Sequence, residues 1–246
     1  MGKLKNNEMY NDYRELQKII GNSLDSPGKG GNISVKDSNK FLIKASGEDL
    51  KEKHLICTFE DSVFKSSVLI KNKKFKTVDI KTKPSMEIGF HTAIKAKYVV
   101  HYHPAYVLPF LCSDSFTDFT ANVIEPCLPG KDLEKKIKEL DLGFKSGVIY
   151  LKNHGVILYA NDLKNIKDLY TEIKAKYFQY FLCHELYTPD DAVDRQSYEL
   201  LLFRHAIQNI ARKNGIELNM LSSYMVQCLN NDSNEKYRQQ KMKGNK

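Results

Sequence analysis

Hydrophobic positions along this chain alternate between two spacings, one typical of amphipathic helices and one typical of strands. A repeat of three to four residues between positions 9 and 22 predicts an opening helix. Further helical repeats occur at 85–96, 105–112, 131–140, 162–187 and 194–213. Short runs rich in β-branched and aromatic residues predict strands at 32–36, 41–45, 56–60, 67–70, 98–103, 123–124, 148–151 and 156–159. Because the two kinds of element alternate through most of the length, the pattern favours one α/β domain.

Glycine, proline and polar residues mark where these elements end. The run from Ser26 to Gly31 interrupts the first helix, and the run from Lys71 to Lys74 predicts an exposed turn. From Asn230 onward the chain is polar and charged, which is typical of a frayed tail.

Composition narrows the classes of function. The 246 residues, 41% of them hydrophobic, suffice for one sizeable core. The net charge is +8, but only five of the 38 basic residues are arginine, and the lysines are scattered. Since readers of nucleic acid rely on arginine for bidentate contacts, a solvated lysine-rich surface is the better interpretation, and no nucleic-acid partner is predicted. Such a surface still attracts anionic small molecules.

The cysteines and the N-terminal residues indicate the cellular compartment of the protein. The five cysteines are odd in number, widely spaced and without a CxxC pair, so a reducing compartment is favoured over a disulfide framework. The N-terminal residues lack the apolar run of a signal peptide, and no segment is long enough to span a bilayer. The sequence therefore predicts a soluble, cytoplasmic protein with no membrane partner.

Two histidines on one predicted strand are the first candidates for chemistry. His101 and His103 are separated by one residue, so on a strand both imidazoles project from the same face. Two adjacent imidazoles suit a shared metal ion, although an isolated pair of this kind is more often incidental.

A third histidine and a glutamate extend the candidate site. His154 lies between two strand-like runs, and Gly155 allows a sharp bend that would aim its ring; a surface turn is the alternative. Glu87 follows Pro84 and Ser85 at the start of a predicted helix, where a carboxylate is also favourable merely as a helix-start residue. Three imidazoles and a carboxylate, with no cysteine nearby in sequence, suit zinc or another divalent transition metal. The carboxylate is also able to act as a base.

Glycine-rich turns stand beside these residues in the sequence. The segment 30–32 leads into one predicted strand, and Ser46 and Gly47 follow the next. Ser85 stands two residues before Glu87. Backbone N–H groups and small hydroxyls in such loops bind anions, and a set of tight turns is the equal alternative. The nucleotide-binding patterns GxxxxGK[ST] and GxGxxG are absent.

Taken in order, these motifs resemble the class II aldolase and adducin family, which includes fuculose-phosphate and rhamnulose-phosphate aldolases and ribulose-phosphate 4-epimerase. The matching segments are GGNISVK (30–36), FLIKASG (41–47), KPSMEIGFH (83–91), VVHYHP (99–104), LPGKDL (128–133) and LKNHGVIL (151–158). No single segment is decisive, but their order and spacing between residues 10 and 187 are specific.

The resemblance implies a fold, an assembly and a site. The fold is a three-layer αβα domain with a central, mainly antiparallel sheet over residues 1–190, followed by a helical extension over 191–246, and the assembly is a homotetramer with active sites at subunit interfaces. The positions that hold zinc in the family correspond to Glu87, His101, His103 and His154. The positions that bind the substrate phosphate correspond to Gly31, Asn32, Ser46, Gly47 and Ser85. Lys44, by its place beside them in the sequence alone, is expected either to add positive charge there or to point away.

The implied function is a metal-dependent lyase, an aldolase, that cleaves a small phosphorylated keto-sugar through a metal-stabilised enediolate, with Glu87 moving the proton. An epimerase or decarboxylase acting on a phosphorylated or nucleotide-linked sugar is the alternative. A non-catalytic sugar-phosphate binder or an adducin-like interaction protein is a further one, although the filled metal positions argue against it.

Two departures from the family pattern keep these alternatives open. Met86 stands where family aldolases often have a second serine. The tyrosine acid of the aldolases has no identified counterpart, because the segment 114–122 contains phenylalanines but no tyrosine. The remaining candidates, among which nothing selects, are Tyr198, Tyr224 and Tyr237.

Overall fold

The fold is built on one mixed sheet flanked by helices. A computed structural model of the chain describes residues 2–50, 53–71, 74–118, 120–142, 146–178, 198–233 and 236–237. Within these ranges the strands are β1 (Asn32–Asp37), β2 (Lys40–Lys44), β3 (His54–Glu60), β4 (Val63–Lys71), β5 (Lys74–Val78), β6 (Tyr98–Tyr102), β7 (Asn122–Ile124), β8 (Gly147–Leu151) and β9 (Gly155–Ala160). The helices are α1 (Gly2–Ile20), α2 (Ile88–Ala93), α3 (Leu108–Leu111), α4 (Lys131–Lys138), α5 (Leu163–Phe178), α6 (Tyr198–Asn214) and α7 (Ser223–Asn231).

The strand order places the predicted histidine strand inside the sheet. The order is β5-β4-β3-β2-β1-β6-β9-β8-β7, and the described pairs are antiparallel except for β7 with β8. Strand β6 therefore lies between β1 and β9, with Asn32 opposite His101 on one side and Ile157 opposite His101 on the other. This pairing brings residues from three distant parts of the sequence to one place.

Alternation along β6 divides the core into two faces. Tyr98, Val100 and Tyr102 belong to the larger cluster, which also takes residues from α1, α5 and α6. Val99 belongs to the second cluster, which packs against α2 and α4. Because successive side chains of a strand point to opposite faces, His101 lies on the same face as Val99, toward α2. The arrangement is the expected αβα sandwich with a mainly antiparallel sheet.

The C-terminal helix α6 is part of this packing. Its residues Phe203, Ile207 and Ile210 are buried in the larger cluster together with side chains of α1 and α5. The expected domain boundary near residue 190 lies outside the described residues, so the division into 1–190 and 191–246 stays a prediction. No described helix combines the length and apolarity that crossing a bilayer requires.

The expected turn at 71–74 agrees with the pairing of Lys71 with Lys74, which closes the hairpin of β4 and β5; residues 72 and 73 between them lie outside the described residues. The sequence did not predict β5 itself, which continues to Val78 as the partner of β4. Its lysines at 74 and 76 suit the solvent-facing edge of the sheet but weaken the apolar pattern that indicates a strand.

Several helix bounds also differ from the expected ones. Helix α2 is shorter than 85–96 because Ile94 leaves it in an extended conformation on the way to β6. Helix α3 occupies only part of 105–112, since the preceding residues form a turn in which Val107 donates to Pro104. Helix α1 begins well before residue 9, and α7 arises within a stretch for which no helix is expected. Asn230 and Asn231, where a frayed tail was expected to begin, are instead the last residues of α7. The expected continuation of α5 at 179–187 and the end of the tail at 238–246 lie outside the described residues.

Candidate metal centre

The four candidate ligands come from three parts of the fold. His101 is on β6, His103 follows that strand directly, and His154 lies in the turn between β8 and β9. Glu87 is the N-cap residue of α2. All four side chains are buried, with exposed fractions of 6% for Glu87 and 0% for His101.

The turn that carries His154 depends on a glycine. Asn153 adopts a positive φ of 55°, which folds the chain back sharply into β9. A Cβ at Gly155 would lie 2.5 Å from the Tyr102 carbonyl oxygen and 2.8 Å from the His103 ring. Only glycine leaves room for the two histidine-bearing segments to approach each other this closely.

A separate network holds the backbone at His103. The His103 amide donates to the Asp25 carbonyl oxygen at 2.8 Å. The Asp25 carboxylate is itself fully buried and accepts hydrogen bonds from the hydroxyls of Tyr106 at 2.7 Å and Tyr170 at 2.8 Å. The loop after α1 is therefore fastened to α5, and it fixes the end of β6 where the second histidine emerges.

The ligand atoms converge on one point. Three histidine ring nitrogens lie within 4.8 Å of one another, and Nε2 of His101 is 2.9 Å from Nε2 of His103. The Glu87 carboxylate oxygens are 3.5 Å from Nε2 of His101 and 3.4 Å from Nε2 of His154. In a tetrahedral zinc site with bonds near 2.0–2.1 Å, ligand atoms are separated by about 3.3 Å. The four residues therefore fit a single divalent ion.

Electrostatics favour the same donor set. Burial lowers the pKa of His101 to about 3, so this imidazole is neutral at neutral pH. Burial opposes ionisation of Glu87, but the neighbouring His101, His154 and His103 and the Asn32 amide outweigh it and lower the carboxyl pKa. Within the described part of the chain, Glu87 Oε1 is buried and accepts no hydrogen bond. A buried carboxylate with an unused oxygen beside three imidazoles is suited to a cation.

The tautomer of His101 is set by the backbone of the next strand. Its Nδ1 lies 3.0 Å from the Val156 carbonyl oxygen, which can only accept a hydrogen bond. Nδ1 therefore carries the proton, and the lone pair of Nε2 faces the other ligands.

The predicted anion-binding residues line the cavity that opens onto this centre. Strands and loops hold them together: the Ser46 amide donates to Lys83, and the Ser85 amide donates to Lys44. The cavity is bordered by Gly31, Asn32, Ser46, Gly47, Ser85, Glu87, His103 and His154, with His101 buried beneath it. The structure thus brings all nine predicted site residues to one place.

We call the loops at 29–32 and 44–47, together with Ser85, the cradle. Its positive charge and its hydroxyl groups face the cavity. Lys44 is 3% exposed and its ammonium donates to the carbonyl oxygens of Lys29 at 2.6 Å and Glu48 at 2.8 Å. The Ser85 hydroxyl oxygen accepts from Asn32 at 3.1 Å and from the Glu87 amide at 3.3 Å. Its own hydrogen is then available for a bound anion.

Sequence reasoning missed several residues at the site. His91 is buried behind Asn32, and Lys29, Met86, Pro129 and Leu229 border the cavity. Leu229 belongs to α7, so the C-terminal part of the chain covers one side of the centre. Its distance in sequence from every other site residue left no signal for it.

Neither Tyr224 nor Tyr237 is among the described side chains that border the cavity. The ring of Tyr237 lies 5.0 Å from the Lys83 ammonium, and Tyr224 is 72% exposed. Phe116 packs against Tyr150, with ring centroids 5.2 Å apart. The side chains of Tyr198 and Phe119 lie outside the described residues.

Comparison with known proteins identifies relatives of this fold. The family described as class II aldolase and adducin N-terminal domain matches residues 17–176. The N-terminal class II aldolase domain of a conserved Thermoplasma acidophilum protein is 19% identical, with a TM-score of 0.51, over 68% of this chain and 91% of that chain.

Two further solved structures are similar at lower scores, and no curated protein matches. The L-fuculose-1-phosphate aldolase of Thermus thermophilus is 17% identical over 68% of this chain and 88% of its own, with a TM-score of 0.40. An aldolase II superfamily protein from Pseudomonas syringae is 14% identical over 93% of both chains, with a TM-score of 0.45.

Proposed function

The chain belongs to the class II aldolase and adducin family, and from this premise we propose that it is a zinc-dependent lyase acting on a small phosphorylated keto-sugar. The observation that carries the proposal is the convergence of Glu87, His101, His103 and His154 at the floor of a cavity bordered by serine hydroxyls and a buried lysine. A centre for a cation and a cradle for an anion within one cavity suit a substrate with a carbonyl at one end and a phosphate at the other.

The four ligands would hold the ion, and a bound divalent ion would supply Lewis-acid polarisation of a carbonyl. Glu87 is the proposed base: its Oε1 accepts no hydrogen bond among the described residues, and its Oε2 is anchored by Asn32 at 2.8 Å. A carboxylate anchored through one oxygen is able to accept a substrate proton on the other. The surrounding burial excludes water from that transfer.

The cradle would bind and orient the phosphate. The Ser46 and Ser85 hydroxyls would donate hydrogen bonds to it, and the Lys44 ammonium, held in place by two carbonyl oxygens, would add a fixed positive charge. Holding the phosphate at one end fixes the distance between the reacting carbon and Glu87, which is the positioning that such a reaction requires.

Metal analysis combined with a substrate panel tests the proposal. Purified protein should contain about one zinc or other divalent transition-metal ion per chain, as three imidazoles and a carboxylate imply. The double variant His101→Ala/His103→Ala should lose both the metal and the activity. Full metal occupancy in that folded variant would overturn the assignment of the centre.

The substrate panel also separates the proposed lyase from an epimerase or a decarboxylase. These alternatives stay open because the tyrosine acid of the aldolases has no identified counterpart in this chain. Incubation with phosphorylated and nucleotide-linked sugars should release a shorter carbonyl compound such as dihydroxyacetone phosphate. A product of unchanged mass would identify an epimerase instead, and release of carbon dioxide would identify a decarboxylase. A metal-loaded protein without turnover on any of these compounds would favour a sugar-phosphate binder.

We also propose a homotetramer with sites at subunit interfaces, as the family resemblance implies. Val63 and Phe64, 58% and 40% exposed at the start of β4, are apolar side chains compatible with burial in an assembly. Sedimentation equilibrium should give four times the 28.3 kDa mass of the chain. A monomer at micromolar concentration would contradict this assembly.

A further inference from the structure

We infer that His91 is a positioning residue of the metal centre: through Asn32 it orients the Glu87 carboxylate and so strengthens metal binding. The inference rests on the proposed function to the extent that it treats Glu87 as a metal ligand. Among the described residues, the His91 side chain makes no direct contact with a candidate metal-ligand side chain. It acts through the side-chain amide of Asn32.

A continuous chain of hydrogen bonds joins His91 to the centre. Ser34 Oγ lies 2.7 Å from His91 Nδ1, and His91 Nε2 bonds to Asn32 Oδ1. Asn32 Nδ2 in turn donates to Glu87 Oε2 at 2.8 Å and to Ser85 Oγ at 3.1 Å. The members of this relay are Ser34, His91, Asn32 and Glu87, and each is at most 6% exposed.

The direction of every bond in the relay follows from the charge of Glu87. An ionised carboxylate only accepts hydrogen bonds, so Asn32 must present its NH2 group to Glu87 and its oxygen to His91. His91 Nε2 must then carry a proton, which leaves Nδ1 to accept from the Ser34 hydroxyl. One tautomer of His91 is therefore compatible with one orientation of the amide and with an ionised Glu87.

This relay gives the two carboxylate oxygens of Glu87 different environments. Asn32 anchors Oε2, whereas Oε1 accepts no hydrogen bond among the described residues and lies 3.4 Å from His154 Nε2. If His91 did not hold the Asn32 oxygen, the amide could rotate and its hydrogens would leave Oε2. The carboxylate would then be free to turn away from the histidines.

The placement of His91 suits this role better than that of a general core residue. It lies four residues after Glu87 in the chain, so α2 and its N-cap residue carry two members of the relay, while the other two, Ser34 and Asn32, are on β1. Its ring stacks on Phe90, with centroids 4.4 Å apart, which fixes the plane of the imidazole. A leucine of similar size would fill the space but could not hold the amide.

Two substitutions of His91 separate positioning from packing. A glutamine amide reaches the place of Nε2 and still donates to Asn32, whereas an asparagine amide is too short to do so. His91→Asn should bind zinc at least tenfold more weakly, because loss of partners that orient metal ligands typically costs 10–100-fold in affinity. His91→Gln should stay close to the wild-type affinity. The measurement is competition for zinc against a chromophoric chelator, using the full chain.

A buried histidine elsewhere in the sheet provides the matched control. His54 is 1% exposed, and its Nε2 lies 3.2 Å from the Tyr13 hydroxyl. His54→Asn should lower the thermal stability as much as His91→Asn does but leave the zinc affinity unchanged. Equal zinc affinities for wild type and folded His91→Asn would overturn the inference, as would an equal loss in both histidine variants.

A measurement on the wild-type protein covers the case in which His91→Asn does not fold. In the metal-free protein, nitrogen-15 shifts of the histidine rings should show His91 as the Nε2–H tautomer, assigned by its disappearance in His91→Gln. A Nδ1–H tautomer or an imidazolium would overturn the inference. Failure of the wild type to bind any divalent cation would contradict the proposed function instead, so the two failures are distinct.

Discussion

The metal centre and the cradle differ in what defines them. The centre consists of four side chains on β6, directly after it, on the turn before β9 and at the start of α2, and all of them are buried. The cradle consists of loops in which backbone amides donate to carbonyl oxygens of neighbouring segments, so that hydroxyls and two lysines, Lys29 and Lys44, meet the cavity. Side-chain identity defines the first region, and the course of the backbone defines the second. Changes in the centre should therefore move metal affinity, and changes in the cradle, apart from Asn32, which anchors Glu87, should move substrate affinity alone.

The strongest test of this contrast is Glu87→Gln, which keeps the volume of the side chain and removes its charge. Metal affinity should fall, and turnover should fall about 10²–10⁴-fold, as expected when a general base is lost. Metal titration and initial rates on the active substrate measure the two effects. The control Glu60→Gln alters a carboxylate 3.9 Å from Lys40 on the far side of the sheet and should change neither. Wild-type turnover in Glu87→Gln would remove Glu87 from the mechanism.

Gly155→Ala probes the backbone contribution to the centre. The added Cβ would clash with the Tyr102 carbonyl and the His103 ring, which should cost about 3 kcal/mol of unfolding free energy, as overpacking does. Metal affinity should fall as well, since His103 and His154 are forced apart. Urea denaturation and zinc competition measure these effects.

The matched control for that glycine is Gly28→Ala. Gly28 has a positive φ of 57° but no heavy atom within 4 Å of an added Cβ, so only backbone strain of about 1 kcal/mol is expected. Its zinc affinity should remain that of the wild type. If both alanine variants weaken zinc equally, the close approach at Gly155 is not what shapes the centre.

Part of the pH dependence of stability should originate in the centre, and His91, whose pKa burial also lowers, should add to it. The pKa of His101 is about 3 in the folded protein, below the ordinary value near 6.5 that holds when the chain is unfolded. As the pH falls below about 6.5, the unfolded state takes up a proton that folded His101 refuses until near pH 3, so stability decreases across this window. One such group contributes a loss of about 2 kcal/mol between pH 7 and pH 5.

Urea denaturation of metal-free protein at several pH values measures this loss, and His101→Asn should make the dependence shallower. Ser85→Ala, which changes the cradle, should leave the slope as it is. An unchanged slope in His101→Asn would assign the acid sensitivity to another part of the molecule.

What the sequence could predict follows the same division. The pair at His101 and His103 was visible because a strand places alternate residues on one face, and Gly155 was visible because it adjoins His154. The cradle stayed open between a turn and an anion site, since backbone N–H groups have no sequence signature. His91 could not be found from the pattern, because its partners Ser34 and Asn32 are 57 and 59 residues away.

The fold shows the same limits. A run rich in valine and aromatic residues predicted β6, whereas the lysines of β5 concealed an edge strand. The approach of α7, which brings Leu229 to the cavity, depends on tertiary packing and could not be derived from local periodicity. Elements with a strong period were therefore predictable, and contacts that only the folded chain creates were not.

The smallest expected effect, and the one that sharpens the contrast most, is that of Ser85→Ala. Ser85 Oγ accepts from Asn32 and from the Glu87 amide, so it adjoins both regions. If its main role is to donate to the substrate phosphate, the variant should raise KM about fivefold, the loss of one hydrogen bond of about 1 kcal/mol, without changing zinc affinity. Ser67→Ala, which removes a buried serine hydroxyl on β4 that donates to Ile80, is the control and should change neither quantity. A loss of zinc affinity in Ser85→Ala would mean that this serine supports Asn32. Ser85 would then belong functionally to the metal centre and not to the cradle.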